Sequence, residues 1–194
     1  MKSICHRQLG KALASHYLNG LTPAERTAFL LGCVEPDRNP ATYLKGSLHG
    51  PILRGHSFPA ARGTLLRLLA RLESGVPSGA LYYYRLGKLT HYIADAFTWP
   101  HNETFSGPLR AHMAYEAQLE PVFLDRLNSL AEVSVGMAHG TLRDWLLAAH
   151  QAYLAAEPGP ETDCRFLLTV EKTAILRLLD VEMLPSAHVI MGGA

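Results

Sequence analysis

Apolar residues recur at helical spacing along almost the whole chain, and the alternation typical of β-strands is missing. Glycine or proline bounds most of the apolar segments, as expected where helices begin and end. The spacing predicts helices over residues 5–18, 59–73, 78–99, 108–130, 141–156 and 160–184. A further helix should start at Pro23 behind the N-cap Thr22 and end at Pro36. The sequence therefore predicts an all-α fold, a bundle of six or seven helices.

The length of the chain sets its domain organisation. At 194 residues it fits one domain, over 1–194, that can bury a substantial core without disulfides. Residues 37–59 are rich in proline and glycine and predict a long irregular segment, a type of loop that often carries function. Residues 185–194 are expected to be a tail without a function of their own.

Charge and cysteine content exclude several classes of protein. The formal net charge of +1 gives no case for a nucleic-acid partner, which normally needs a clustered basic face. Cys5, Cys33 and Cys164 form an odd, widely spaced set that suits a reducing compartment better than a disulfide framework. With neither an export signal nor a run of about 18 apolar residues, we expect a soluble cytoplasmic protein without a transmembrane segment.

One apolar segment contains most of the residues able to bind a metal ion. Its candidate ligands are His91, Asp95, His101, His112 and Glu116. His91 and Asp95 are four residues apart, and so are His112 and Glu116. If each pair lies on a helix, its two members share a face. Pro100 should end the first helix and release His101 at the break. Imidazole and carboxylate are ligands of zinc, and three of them with an open position make a catalytic site.

A metal is not the only explanation for these residues. A single histidine is more often a core or surface residue with a hydrogen-bond partner. An i,i+4 His/Asp contact can also be a helix-surface pair contributing about 0.2–0.5 kcal/mol. The apolar flanks, such as Ile93 and Phe97, indicate burial instead, and a buried charge without a partner is costly. A metal site therefore explains the two pairs and the intervening histidine best.

The segment is part of a longer pattern of candidate ligands. That pattern also includes His6, Asp37 and His56, which come earlier in the chain. The whole pattern resembles the zinc-dependent phospholipase C family, which is related to the zinc single-strand nucleases; both are all-helical and hold three metals. The family order is an early histidine, a turn aspartate, a loop histidine, H-x3-D-x5-H and H-x3-E. Here it reads His6, Asp37, His56, His91, Asp95, His101, His112 and Glu116. The resemblance covers roughly residues 1–120.

The resemblance also implies which ligands share an ion. One zinc would be held by Asp37, His56, His91 and Asp95, and a second by His101, His112 and Glu116. His6 would share Asp95 with a third. Secreted members bind that third zinc through an N-terminal tryptophan, whereas this sequence begins with Met1, so two or three ions are expected. His49 competes with His56, and the Gly55-His56-Ser57-Phe58 setting favours His56.

By resemblance, the function is that of a zinc-dependent phosphoric-ester hydrolase using metal-activated water, with Asp37 as ligand and general base. Its partner would be a phosphoester such as a phospholipid. One alternative is a non-catalytic zinc-binding helical protein with closed coordination. Another is a phosphodiesterase like the single-strand nucleases, which needs an aromatic platform beside the metals. The residues that could form this platform are Tyr82, Tyr83, Tyr84, Phe97, Trp99 and Phe105.

Overall fold

The computed structural model of the chain describes residues 1–39, 57–136 and 140–179. These residues form seven α-helices and no β-strand, as the all-α prediction requires. The helices are α1 (Ser3–Tyr17), α2 (Pro23–Arg38), α3 (Phe58–Glu73), α4 (Gly79–Ala96), α5 (Leu109–Leu127), α6 (Leu142–Ala155) and α7 (Pro160–Leu178). Short 3₁₀ helices cover Trp99–His101 and Leu130–Glu132. The candidate ligands His49 and His56 and the tail 185–194 lie outside the described residues.

The start of α2 confirms the capping prediction. Thr22 accepts a hydrogen bond from the backbone of Glu25 at 3.3 Å, and the Glu25 carboxylate accepts one from the backbone of Thr22 at 2.9 Å. This reciprocal capping box satisfies two of the donors that a helix N-terminus leaves unpaired. None of the described helices is both long and apolar enough to cross a membrane.

The predicted end of α2 is wrong. The helix continues through Pro36 to Arg38, so Asp37 lies in its last turn rather than in an irregular segment. A proline removes one backbone donor and crowds the carbonyl four residues earlier, here that of Gly32. Close to the C-terminus this disturbance affects a single turn, and the backbone of Asn39 still donates to the Glu35 carbonyl at 3.0 Å. Asp37 therefore has a position fixed by a helix.

Helix α4 occupies the centre of the bundle and packs against α1, α2, α3 and α7. From Leu89 to Ala96 every one of its residues is buried. A helix that is covered on all sides must be apolar all round, and this one is, apart from Thr90, His91 and Asp95. The two candidate ligands of α4 thus lie inside the core.

The closest contact in the bundle is between α2 and α4, where the two backbones touch at Gly32 and Gly87. A Cβ atom on Gly32 would lie 2.2 Å from the Tyr84 carbonyl oxygen, and one on Gly87 would lie 2.1 Å from the Phe29 carbonyl oxygen. Only glycine permits so close an approach. The contact fixes the distance between the C-terminal turn of α2, with Asp37, and the middle of α4.

A second acidic side chain is buried in this core without an obvious role. Glu171 of α7 is 0% exposed, and neither of its carboxyl oxygens has a hydrogen bond of normal geometry within the described residues. Burial raises the pKa of Glu171 well above its ordinary value, and the nearby Thr90 opposes that shift only in part. Burial therefore favours the neutral, protonated form of this carboxyl group.

Glu171 should make the stability of the protein depend on pH. Above the ordinary glutamate pKa of about 4.3 the unfolded chain releases a proton that the folded chain keeps. The free energy of unfolding therefore falls as pH rises, by up to about 1.4 kcal/mol per pH unit, until the pH reaches the pKa of Glu171 in the folded protein. Glu171→Gln should remove this loss and unfold at higher denaturant than the wild type at pH 8. Denaturant titrations between pH 5 and 9 measure the difference, with exposed Glu73→Gln as control; parallel pH profiles for Glu171→Gln and wild type would contradict the prediction.

Candidate metal centre

Helix α4 provides the base of the candidate centre through His91 and Asp95, one turn apart. The Nε2 atom of His91 lies 3.3 Å from Asp95 Oδ2 and 3.6 Å from Asp37 Oδ1. On the other side of the ring, Nδ1 lies 3.0 Å from the Cys33 carbonyl oxygen. A carbonyl can only accept, so the Nδ1 atom of His91 carries a proton, and Nε2 is the nitrogen that faces the two carboxylates.

His6 of α1 joins the same group from the opposite side. Its Nε2 lies 3.2 Å from Asp95 Oδ1, and its ring stacks on His91 with centroids 3.9 Å apart. Burial, together with the neighbouring His91, lowers the pKa of His6 to about 4, so the ring is neutral near pH 7. Its Nδ1 has no hydrogen-bond partner among the described residues. Ligand atoms of His6, His91 and Asp95 all lie within 4.8 Å of one another.

A second group forms where the chain leaves α4 and enters α5. His101 ends the short 3₁₀ helix, as the prediction of a break at Pro100 implies, and His112 and Glu116 lie one turn apart on α5. Glu116 Oε1 is 3.2 Å from His101 Nε2 and 3.0 Å from His112 Nε2. The ligand atoms of these three residues also lie within 4.8 Å of one another.

The amino group of Met1 lies between the two groups. It donates a hydrogen bond to Asp95 Oδ1 at 2.8 Å, and it is 3.0 Å from Glu116 Oε1 and 2.6 Å from His101 Nε2. Burial alone would lower its pKa, but the carboxylates of Asp95 and Glu116 raise it to about 10. The structure thus places a buried positive charge at the junction of the two groups.

The surroundings of Asp95 and Glu116 lower the pKa of both carboxyl groups and so favour their ionised form. Burial opposes ionisation, yet His101, the Met1 amino group and His91 hold the pKa of Asp95 well below its usual range. Hydrogen bonds with His101 and His112 and the charge of the same amino group lower the pKa of Glu116 in the same way. Ionised carboxylates act only as acceptors. They therefore need cations or donors around them.

The donor set fits zinc. Each group combines two imidazole rings with one carboxylate, the nitrogen and oxygen ligands that zinc takes in proteins. His91 Nε2 faces carboxylate oxygens of Asp37 and Asp95 at 3.6 and 3.3 Å, an arrangement that a cation between the three atoms would stabilise. His91 Nδ1 is hydrogen-bonded to the Cys33 backbone carbonyl, and a hydrogen bond of this kind commonly orients a metal-binding histidine.

The structure brings together most of the ligands expected from the sequence. Those that converge are His6, Asp37, His91, Asp95, His101, His112 and Glu116. His56, expected beside Asp37, lies outside the described residues. His6, expected to hold a third ion together with Asp95, also stacks directly on His91. The hydroxyl of Ser3, which the sequence did not single out, donates to Asp37.

A supporting contact behind His101 was also not predicted. His150 is 1% exposed, and its Nε2 donates to Asn102 Oδ1 at 2.9 Å. The amide nitrogen of Asn102 in turn donates to the Ala96 and Thr98 carbonyls, each at 3.0 Å. These bonds fix the turn that carries His101. Sequence alone offers no signal for them, because His150 is 48 residues from its partner.

Six aromatic residues were considered as a stacking platform, and they differ in burial and position. Tyr84 is half-buried, and the Lys88 ammonium lies 5.6 Å from the centroid of its ring. Tyr82, Tyr83 and Phe97 are buried, and the Tyr82 hydroxyl donates to the Leu178 carbonyl. These three residues pack in the core. Trp99 and Phe105 instead meet edge to face at 5.1 Å beside the second ligand group, where Phe105 also contacts the His112 ring.

Comparison with known proteins gives one match. The model of the family described as zinc-dependent phospholipase C matches residues 5–159, well over half of the chain. Neither the curated proteins nor the solved structures contain a match. The matched range includes each of the ligand side chains that converge in the structure. On this evidence the chain belongs to the zinc-dependent phospholipase C family.

Proposed function

We propose that the protein is a zinc-dependent phosphoric-ester hydrolase whose centre holds two or three zinc ions. The observation that carries the proposal is the convergence of two His/His/carboxylate groups that are connected through Asp95. Asp95 Oδ1 is 3.2 Å from His6 Nε2 in its own group and 3.6 Å from His101 Nε2 in the other. Ions in the two groups would therefore act on one substrate.

Exposure of the ligands indicates where that substrate would enter. His6, His91 and Asp95 are almost fully buried, whereas the side chains of His112 and Asp37 are 25% and 17% exposed. A structural zinc site is closed by its protein ligands, and a catalytic one keeps a position open. The partly exposed side of the centre favours the catalytic alternative over a non-catalytic zinc-binding protein.

Each residue of the centre has a distinct proposed role. When bound, clustered zinc ions lower the pKa of water and polarise a phosphoryl oxygen. Asp37, partly exposed and held by Ser3, would be a ligand and would accept a proton from the attacking water. Asp95 and Glu116, both ionised, would balance the charge of the ions. The amino group of Met1 would exchange its proton for coordination to a third ion.

The proposed substrate class is a phosphoester, with phospholipids as the first choice because of the family. The nuclease alternative is the less well supported of the two. Trp99 and Phe105 lie beside the second ligand group, but Tyr82, Tyr83 and Phe97 are buried, and the net charge of +1 provides little attraction for a polyanion.

The first test is metal content together with hydrolysis. Untagged protein should contain two or three zinc ions per chain by mass spectrometry and should hydrolyse bis(p-nitrophenyl) phosphate and a phosphatidylcholine analogue. Asp37→Asn should lose at least about a hundredfold in activity, because it removes the proposed ligand and base together. Exposed Asp125→Asn is the matched control. Bound zinc without turnover would favour the non-catalytic alternative, and absence of metal would refute the proposal.

A further inference from the structure

One face of α5 combines metal ligands with exposed apolar side chains. Leu109, His112, Met113 and Glu116 follow the i, i+3, i+4, i+7 spacing, so they lie on a single stripe of the helix. His112 and Glu116 belong to the metal centre. Leu109 and Met113 are 58% and 61% exposed. The edge of the centre formed by α5 is therefore apolar.

An apolar groove lies on the other side of the same half of α5. It has a volume of about 400 Å³ and is lined mainly by Trp99, Phe105, Gly107, Ala111 and Tyr115. Phe105 connects the groove to the centre, since its ring contacts that of His112 with centroids 6.1 Å apart. Apolar surface thus flanks His112 on both sides. We call Leu109, Met113 and this groove the apolar rim.

We propose that the apolar rim contacts the acyl region of a phospholipid bilayer and so brings lipid headgroups to the metal centre. The inference rests on the function proposed above. Contiguous exposed apolar surface marks interaction sites, and a helix can bind a membrane by burying such a face at the headgroup boundary.

The position of the rim favours a lipid over a protein partner. Leu109 and Met113 lie on the same stripe as the ligand His112, so whatever covers these side chains lies against the opening of the centre. A protein seated there would obstruct substrate entry, whereas a bilayer is itself the source of the substrate. Arg110, exposed on the same turn of α5, adds a positive charge that can pair with lipid phosphate.

The test compares a rim variant with a matched control. In the rim variant, Leu109→Ser and Met113→Ser are combined. The control combines Leu31→Ser and Leu81→Ser, which replace leucines that are 50% and 59% exposed on α2 and α4. Two quantities are measured: cosedimentation with phosphatidylcholine vesicles, and the ratio of hydrolysis rates on vesicles and on monomeric short-chain phosphatidylcholine.

The rim variant should lose at least about tenfold in vesicle binding and in the rate ratio, since most of the inserted aliphatic surface is gone. The control should keep both values. An unchanged ratio in the rim variant, an equal loss in the control, or no vesicle binding by the wild type would overturn the inference. So would a dimer that the rim substitutions convert to a monomer, because the face would then be a protein interface.

The same measurements distinguish an error in the rim inference from an error in the proposed function. If the wild type hydrolyses both substrates and the rim variant does so with the same ratio, the function stands and the rim inference is wrong. If the wild type hydrolyses neither substrate but binds vesicles through Leu109 and Met113, the rim inference stands and the proposed function is wrong.

Discussion

Asp95→Asn is expected to reduce zinc affinity at least about a hundredfold, with a corresponding loss of hydrolysis. Even residues that only support a metal ligand change affinity about 10- to 100-fold, and Asp95 is in contact with both ligand groups. Its Oδ1 is 2.8 Å from the Met1 amino group and 3.2 Å from His6, and its Oδ2 is 3.3 Å from His91. Asparagine keeps the shape but replaces an anionic oxygen with an amide nitrogen that does not bind cations.

The same substitution should weaken the metal-free protein. The buried ammonium of Met1 would retain Glu116 as its only carboxylate partner within the described residues. Removing one partner of a buried ion pair costs about 3–5 kcal/mol. Zinc content by mass spectrometry and denaturant unfolding of the chelated protein measure the two effects, with exposed Asp125→Asn as control. A zinc content equal to that of the wild type would show that Asp95 is not a ligand.

Gly87→Ala is expected to destabilise the fold by about 3 kcal/mol, in the upper range for overpacking. The new Cβ would lie 2.1 Å from the Phe29 carbonyl oxygen and 2.9 Å from the Cys33 backbone nitrogen. Neither atom can move aside without separating α2 from α4. Separation would also draw the Cys33 carbonyl away from His91 Nδ1, so zinc affinity should fall together with stability.

Gly63→Ala in α3 is the matched control. Among the described residues, the nearest atom that its Cβ would meet is a nitrogen of the Arg67 guanidinium, at 3.4 Å. An alanine inside a helix stabilises by about 0.5–1 kcal/mol relative to glycine. Thermal and denaturant unfolding should therefore shift in opposite directions for the two variants. A Gly87→Ala protein as stable as wild type would mean that the helices do not touch at this point.

Much of the fold and part of the centre follow from local spacing in the sequence. A period of 3.6 residues makes His91 and Asp95 neighbours whatever surrounds them, and the same holds for His112 and Glu116. The helical segments were confirmed for the same reason, since each is set by its own apolar face and end signals. These predictions depend only on residues close together in the chain.

What could not be predicted depends on contacts between distant parts of the chain. The prediction that Pro36 ends α2 was wrong because a proline in the last turn removes only one hydrogen bond. Nothing local indicates that the Cys33 carbonyl orients His91, or that the Met1 amino group lies beside Asp95, 94 residues away. The stacking of His6 on His91 likewise results from how α1 packs on α4.

The contact between Gly32 and Gly87 has a consequence for the choice of metal. Because main-chain atoms touch there, repacking of side chains cannot change the spacing between Asp37 and His91. Proteins discriminate among divalent metals by geometry and ligand type more than by intrinsic affinity. A larger ion, such as calcium, with its longer bonds to oxygen, would have to push two helices apart in order to fit. If the proposed zinc site includes Asp37 and His91, its discrimination by ionic size would therefore depend on two glycines that are not themselves ligands.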